Sequence, residues 1–539
     1  MSSISVGTVR RRVAASGVAA LVVVGGAFGI AASASAKSAP HASSAGTLVV
    51  DTSFIIDTVD PARDLDPTGY IVDHAIYDTL LTNDGASTQP VPDLATSYKA
   101  SPNAKVFTFN LRHGAKFSNG DPVTSADVVF SLERVINVDS APAYLLAGIK
   151  VTAKGPYTVV LTSSTPNPAI PAIVTTPALG IVDQKAVVAN GGSDAKDASK
   201  TDKAEAFLDK TSEGSGPYVL TTFSTNNQIT LTANPNYWGP KPKFKTVVLR
   251  NMSGSTQYLN VQRGADQVAL DLSSQQADQL NTNSSLQVHT GASPNVFFLQ
   301  MTENAKVSPT MANPDIQEAI RYGLDYKGMI ATAGTGAIQA PGIVPQQFLG
   351  SLPASDAIKQ NIAKAKQLVK ESGITDPSAT MAFPSGITVN GLSFATLAQR
   401  VQYDLGQVGI KITLSAVPVT TFLNNYNADK YALVQSYWGP DYADPNDYLV
   451  FVPGGSVSTR SDWPASAYPT LATLGKKAGS TSNNSARAGL FQTIQKDLNA
   501  KSPFVDMIQP AEAIVGSSNL TGVVDNPSWI LSVQSVGTK

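Results

Sequence analysis

The sequence contains no cysteine among its 539 residues. A disulfide framework, a thiolate nucleophile and a cysteine-ligated zinc or iron–sulfur site are therefore excluded. The four histidines, at positions 41, 74, 113 and 289, are too far apart in the sequence to indicate a local metal cluster.

Charge is also scarce. Charged residues make up 15% of the chain, against about 25% in typical soluble domains. The 39 Lys and Arg residues nearly balance the 40 Asp and Glu residues, and the formal net charge is −1. Because a basic excess is absent, we expect no nucleic-acid partner. The length is enough for two or three domains of about 150 residues each.

Residues 1–36 have the three parts of an export signal. Arg10–Arg12 form a basic start, Val18–Ile30 form an uncharged apolar run, and Ala34–Ala36 give a small-x-small cleavage pattern. The apolar run is shorter than the roughly 20 residues of a membrane span. We therefore predict a cleaved signal peptide, with a retained signal-anchor as the alternative. The protein is expected in the periplasm or outside the cell, and not as a cysteine-anchored lipoprotein.

The hydrophobic pattern beyond the signal alternates between strand and helix periods. Phe107, Phe109 and Leu111 recur at every second residue, which predicts a strand. A helix is predicted to begin near Ser125, with Thr124 as its N-cap. Residues 190–203 are polar and are predicted to form an exposed insertion. Because helices and strands alternate throughout, the pattern indicates an α/β fold.

Motifs for catalysis are missing from the sequence. It has no G-x-S-x-G, H-E-x-x-H or P-loop motif. Ser193–Lys196 matches S-x-x-K, but no K-T-G partner follows. We therefore expect no enzyme activity and no cofactor, although a secreted hydrolase is kept as an alternative. Asp441, Asp444 and Asp447 could be calcium ligands, but they lack the glycine and glutamate of an EF-hand loop.

Aromatic residues gather near one carboxylate in the last third of the chain. Tyr437, Trp438 and Tyr442 surround Gly439 and Asp441. Such a cluster is typical of a ligand-binding surface, since aromatic rings offer flat apolar area and also carry a polar group. The alternative is core packing, which is favoured for any single aromatic residue.

Several segments, in this order, resemble one family of transport proteins. The early segments are Tyr77–Leu81, Pro92–Ala95, Phe107–Arg112, Lys116–Pro122 and Ala126–Arg134, and the later ones are Gly214–Tyr218, Asn234–Trp238, Ile316–Ile330 and Trp438–Pro445. Together they are similar to the large solute-binding proteins of ATP-binding-cassette importers for oligopeptides, dipeptides and nickel. One departure is Asp325-Tyr326-Lys327, where the family usually has Asp-Arg.

The resemblance implies an α/β fold of two lobes, of the type II periplasmic-binding-protein kind, with mixed sheets joined by hinge strands and an extra subdomain. Residues 296–300 are the candidate for one crossing strand, and residues 508–515 lie near the other. The implied boundaries are 37–77 for the first part of lobe I, 78–213 for the extra subdomain, 214–301 for the second part of lobe I, 302–507 for lobe II and 508–539 for the return to lobe I.

The resemblance also implies a function. The protein would be a monomer that holds an extended peptide between its lobes and delivers it to a membrane permease. Asp441 would receive the α-ammonium of the peptide, Tyr437 and Trp438 would flank the ligand, and Gly439 would let the ligand approach the backbone. Phe54 is a candidate on the lobe I side from its position alone.

Three further alternatives stay open. The ligand could be a non-peptide solute, such as an oligosaccharide, an opine or a metal chelate. The protein could be a sensor that hands a signal peptide to a receptor. Asp441 could instead be a turn residue that caps its own backbone.

Overall fold

The computed structural model describes residues 46–539. The predicted signal peptide, residues 1–36, lies outside the described residues. Among residues 46–539, no helix is both long enough and apolar enough to cross a membrane. The helices of this part of the chain are Pro67–Ile76, Ser125–Val138, Ile170–Ile173, Gln184–Ala189, Ala198–Thr201, Glu205–Leu208, Gly254–Val261, Ser274–Leu280, Pro314–Gly323, Tyr326–Ala333, Ile362–Glu371, Phe394–Gln407, Val419–Asn427, Pro469–Ser480 and Asn484–Lys501, with 3₁₀ turns at Ala141–Leu146, Pro177–Leu179, Ala354–Asp356, Pro445–Phe451 and Ser458–Ser461.

A seven-stranded sheet organises the first half of the molecule. In spatial order its strands are Leu286–Ala292, Ala511–Ser517, Gln267–Ala269, Thr47–Thr52, Thr246–Asn251, Gln228–Ala233 and Tyr218–Thr222. Thr47–Thr52 lies at the centre and runs parallel to both of its neighbours. Its Leu48 and Val50 side chains are fully buried in the core, as expected for a central strand.

A six-stranded sheet organises the second half. In spatial order its strands are Ile338–Gln339, Phe504–Gln509, Val296–Met301, Leu433–Trp438, Ser378–Pro384 and Lys411–Val417. Val296–Met301 is buried on both faces. Its Phe297 and Leu299 side chains join one core, and Val296 and Phe298 join a core on the opposite face. This explains why the strand is almost continuously apolar in sequence.

A four-stranded antiparallel sheet forms a third layer. Its strands are Ala95–Ala100, Val106–Leu111, Thr158–Ser163 and Ile149–Ala153. The helix Ser125–Val138 packs on this sheet. The helix begins with a capping box, in which Thr124 and Asp127 satisfy each other's backbone amides. The remaining short pairs are Leu81–Thr82 with Val91–Pro92, Thr388–Val389 with Leu392–Ser393, Leu520–Thr521 with Gly537–Thr538, and Asp525–Asn526 with Ile530–Leu531.

The chain crosses between the two large sheets at two places. It leaves the seven-stranded sheet after Ala292 and enters the six-stranded sheet at Val296. It returns through Pro510, which lies between Gln509 and Ala511. The two crossings touch each other, because the amide of Ser293 donates a 2.9 Å hydrogen bond to the carbonyl of Pro510. Residues 296–300, the predicted crossing strand, are a strand of the six-stranded sheet, and the crossing itself is made just before it by residues 293–295.

A buried ion network attaches the polar segment 190–203 to the rest of the protein. The Arg134 guanidinium donates to both oxygens of Asp60 and both oxygens of Asp202 at 2.6–2.9 Å. Arg63 also contacts Asp60 and Asp202, at 2.8 and 3.0 Å. Burial would raise the pKa of Asp202, but the hydrogen bonds and the charge of Arg134 lower it. The segment is therefore exposed over most of its length, as predicted, yet fixed at Asp202.

Replacing Arg134 by Met should destabilise the protein strongly. The change leaves the two buried carboxylates of Asp60 and Asp202 with Arg63 as their remaining cation, beside hydrogen bonds from backbone amides. We expect a loss of about 3–5 kcal/mol in the free energy of unfolding, measured by urea denaturation. The matched control is Lys185→Met, whose pair with Asp121 is exposed and should be worth about 1 kcal/mol or less. Equal losses in the two variants would contradict the importance of the buried network.

Candidate ligand-binding site

The predicted site lies at the carboxyl edge of the six-stranded sheet. Leu433–Trp438 runs parallel to Ser378–Pro384, which in turn runs parallel to Lys411–Val417. The carboxyl ends of these three strands therefore lie at one edge. Ligands of open α/β sheets bind outside such edges. Tyr437 and Trp438 end the strand, and Gly439 and Asp441 follow in the adjacent loop.

Asp441 contacts a segment that is far away in the sequence. Its carboxylate accepts a hydrogen bond from the hydroxyl of Tyr144, which belongs to the turn Ala141–Leu146. Its backbone carbonyl accepts a 3.2 Å hydrogen bond from Thr176 Oγ1. The neighbouring Tyr442 packs against the core of the four-stranded sheet. The loop after Trp438 therefore bridges the six-stranded sheet and the segments around the four-stranded sheet.

The surroundings of Asp441 raise the pKa of its carboxyl group and that of Asp447. Burial raises the pKa of Asp441, and the Tyr144 hydroxyl offsets this rise only in part. Burial and the charge of Asp441 raise the pKa of Asp447 well above its ordinary value. Within residues 46–539, no Lys, Arg or His nitrogen lies within 4.0 Å of either carboxylate. A carboxylate that is partly withdrawn from water without a cation is unfavourable. The role of Asp441 toward a positively charged ligand stays a prediction.

Asp447 positions the loop. Its Oδ2 atom accepts hydrogen bonds from Trp438 Nε1 at 3.1 Å and from the amide of Asp441 at 3.2 Å. Asp444 has a separate partner, because its carboxylate pairs with the buried guanidinium of Arg487. The three aspartates therefore do not converge on one point. In the described part of the chain, no group of three or more His, Cys, Asp or Glu residues could hold a metal ion.

The two aromatic residues of the site point to opposite faces of their strand. Tyr437 packs against Phe297 and Phe394, with ring centroids 5.9 and 6.0 Å apart. Trp438 packs on the other side, 5.5 Å from Phe451. Both rings are partly exposed. Each is therefore a core residue with one free edge, and a role for both against the same ligand stays a prediction.

Gly439 and Phe54 occupy different sides of the molecule. A Cβ atom on Gly439 would lie 2.5 Å from Oδ1 of Asn295, so the glycine lies in close contact with a side chain of the first crossing. Phe54 follows the central strand of the seven-stranded sheet, and its amide donates to Asn251 Oδ1 at 3.1 Å. It packs partly buried against the core of that sheet. Their contact with a ligand stays a prediction.

Tyr144, Thr176 and Tyr70 were missed by the sequence analysis. The contacts of Tyr144 and Thr176 with Asp441 span 297 and 265 residues of sequence. Tyr70 is buried, and the charges of Asp441 and Asp447 contribute, after burial, to a raised pKa of its hydroxyl. No local pattern marks these tyrosines and threonine, because their environment is created only by the fold.

Comparisons with known proteins identify the family. Residues 89–458 match the family model described as bacterial extracellular solute-binding proteins, family 5 Middle. The chain belongs to this family. This match confirms the resemblance predicted from the motifs. Members of the family are binding proteins and not enzymes.

Individual relatives agree over most of their length. The chain is 27% identical to the probable D,D-dipeptide-binding periplasmic protein DdpA of Escherichia coli (strain K12), over 89% of this chain and 92% of the relative. Among solved structures, a periplasmic binding protein DppA from Helicobacter pylori in complex with the peptide STSA matches with a TM-score of 0.74 and 22% identity, over 92% of this chain and 98% of that chain.

A third match, AgaA in complex with agropinic acid from A. tumefacien R10, has a TM-score of 0.74 and 24% identity, over 92% of this chain and 99% of that chain. These structural matches confirm the predicted two-lobe α/β fold.

The contact between Tyr144 and Asp441 should hold the two halves of this solute-binding protein together. Replacing Tyr144 by Phe removes a hydrogen bond to a carboxylate. Because 47% of Tyr144 is exposed, we expect this bond to be worth about 1 kcal/mol, or roughly a five-fold change in the ratio of closed to open forms. X-ray scattering of the unliganded protein should show a larger radius of gyration.

The matched control is Tyr98→Phe, which changes an exposed tyrosine that stacks on Phe109. This variant should have the radius of gyration of the wild type. If Tyr144→Phe also leaves the radius unchanged, the contact does not control the separation of the lobes.

Proposed function

We propose that this protein captures a peptide between its two lobes and delivers it to the membrane permease of an ATP-binding-cassette importer. The observation that carries the proposal is the Asp441 carboxylate, which is partly buried, has a pKa raised by that burial and has no cation within 4.0 Å in the described part of the chain. The α-ammonium of a peptide has the charge and the donors that this carboxylate requires. The similarity to DdpA, which is named for D,D-dipeptides, and to DppA in complex with the peptide STSA supports a peptide ligand.

Capture would follow from hinge motion at the two crossings. In the open form, Asp441 would be hydrated and accessible. As the lobes close, water leaves and the attraction between Asp441 and an ammonium strengthens, because the local dielectric falls. The incoming ammonium would replace the Tyr144 hydroxyl as the donor to the Asp441 carboxylate, or the two donors would share that carboxylate.

The rest of the site would bind the peptide with little regard to its side chains. Tyr437 and Trp438 would each present the free edge of the ring to the ligand, and Phe54 would approach from the seven-stranded sheet. Gly439 would keep the loop close to the crossing strand. Pro440 has no amide to donate, so the backbone of the ligand would be paired elsewhere in the site.

The proposal includes the surroundings of the protein. The family is extracellular or periplasmic. We propose that the chain acts there as a monomer, without a cysteine-linked lipid and without nucleic acid, and with the domain boundaries predicted at 77, 213, 301 and 507. Its partners would be the peptide and the permease.

A non-peptide solute is the second candidate, and the similarity to AgaA bound to agropinic acid favours keeping it. Such a ligand would need no free α-amine. The dependence of binding on an amine therefore distinguishes the two candidates.

The test compares trialanine with N-acetyl-trialanine by isothermal titration calorimetry, on the wild type and on Asp441→Asn. For trialanine we expect the substitution to weaken binding by about 30-fold or more, because it removes one member of a buried charged pair. The acetylated peptide should bind the wild type weakly and lose little more in the variant.

Asp84→Asn, in an exposed loop, is the matched control and should bind trialanine like the wild type. Equal losses for both peptides in Asp441→Asn would remove Asp441 from this role. Failure of both peptides to bind the wild type would contradict a peptide ligand.

A further inference from the structure

A second pair of buried acids, Asp64 and Asp73, is placed by the helix Pro67–Ile76, Asp64 just before the helix and Asp73 within it. The Asp64 carboxylate lies directly against Gly69, because a Cβ atom there would be 1.6 Å from Asp64 Oδ2. Asp73 follows Gly69 by four residues and so lies on the same face of the helix. Asp64 and Asp73 are 1% and 0% exposed. The helix therefore brings two acids together in the interior.

These two carboxyl groups have each other as side-chain partners. Asp64 Oδ1 accepts a 3.0 Å hydrogen bond from the amide of Asp66, whereas Asp64 Oδ2 and both oxygens of Asp73 accept none from any other group. Within residues 46–539, no Lys, Arg or His nitrogen lies within 4.0 Å of either side chain. The adjacent Arg63 is directed to Asp60 and Asp202 instead. Since buried carboxylates in this state are unfavourable, the pair requires either a proton or a cation from outside the chain.

Tyr70 connects this pair with Asp441. It lies three residues before Asp73, on the same side of the helix, and it is 8% exposed. Its hydroxyl has no hydrogen-bond partner. Tyr70 belongs to the hydrophobic core against which Tyr442 packs. After burial, the charges of Asp441 and Asp64 are the largest causes of the raised pKa of Tyr70. The charges of both acidic centres therefore act on this unpartnered phenol.

We propose that Asp64 and Asp73 form a second cation-binding position next to Asp441, so that the preferred ligand carries two positive charges at one end. This inference rests on the proposed function. In a peptide, the two charges are those of the α-ammonium and of a basic first side chain, such as lysine. The Asp441 carboxylate takes the first, and the Asp64–Asp73 pair takes the second.

The Tyr70 hydroxyl would interact with both the ligand ammonium groups and the carboxylates. A neutral phenol accepts a hydrogen bond from an ammonium and donates one to a carboxylate. Closure of the lobes would desolvate both ammonium groups at once, and each would meet an acid already in place. A first residue with a neutral side chain would leave the Asp64–Asp73 pair without a cation.

The test uses three peptides with the wild-type protein and calorimetry at one pH. Lys-Ala-Ala and norleucyl-Ala-Ala share a linear side chain, but only lysine carries the second charge. We expect Lys-Ala-Ala to bind about ten-fold more tightly or better. N-acetyl-norleucyl-Ala-Ala reports separately on the α-ammonium, so that failure at Asp441 is distinguishable from failure at the second position.

Asp64→Asn and Asp73→Asn keep the shape of the pair and remove its charge. The ratio of the affinities for the lysine and norleucine peptides should fall to about one in each variant, and it should be unchanged in the control Asp84→Asn. Thermal unfolding of the unliganded variants checks that they are folded.

The inference is overturned if the wild type shows no lysine preference while the free amine still matters, or if the preference survives in both Asn variants. Competition by pentane-1,5-diamine, which has the same spacing of ammonium groups, would support the two-cation position and point to free diamines as the source. Competition by the lysine peptide alone would support a peptide source.

Discussion

The balance of charge between the lobes is the constraint on which the account of this protein depends. The fold buries Asp447 and partly buries Asp441, and the described part of the chain places no cation beside either carboxylate. The Tyr144 hydroxyl and the Trp438 indole supply hydrogen bonds, but a neutral donor does not cancel a charge. Under the proposed function, a positively charged solute would supply the missing charge, and this requirement would give the closed form its selectivity.

The hinge, in contrast, is built from neutral groups. The side chains of Ser293 and Asn295 both donate to Asn390 Oδ1 at 2.8 Å, and Gln509 Nε2 donates to the carbonyl of Ser293 at 2.7 Å. Water can replace such hydrogen bonds at a net cost of about 1 kcal/mol each. Opening and closing thus need not separate an ion pair at the crossings, and the charges of the site and its ligand can control the equilibrium.

Much of the fold was predictable because its signals are local. The strand Val106–Leu111 follows from alternating apolar residues, and the helix Ser125–Val138 follows from its capping residues. The motif order predicted the family and the two-lobe architecture. The candidate site was only partly predictable. Gly439 was interpreted as a place for ligand approach, whereas its close neighbour is Asn295. Tyr144 and Asp202 acquire their partners through contacts that no sequence pattern encodes.

A crystal structure of the protein with bound trialanine would show which group receives the α-ammonium of the peptide. We predict that the peptide α-nitrogen lies about 2.7–2.9 Å from a carboxylate oxygen of Asp441, between the lobes, with the Tyr144 hydroxyl displaced or sharing that carboxylate. A bound peptide whose α-nitrogen contacts other groups, with the bond between Tyr144 and Asp441 intact, would contradict it.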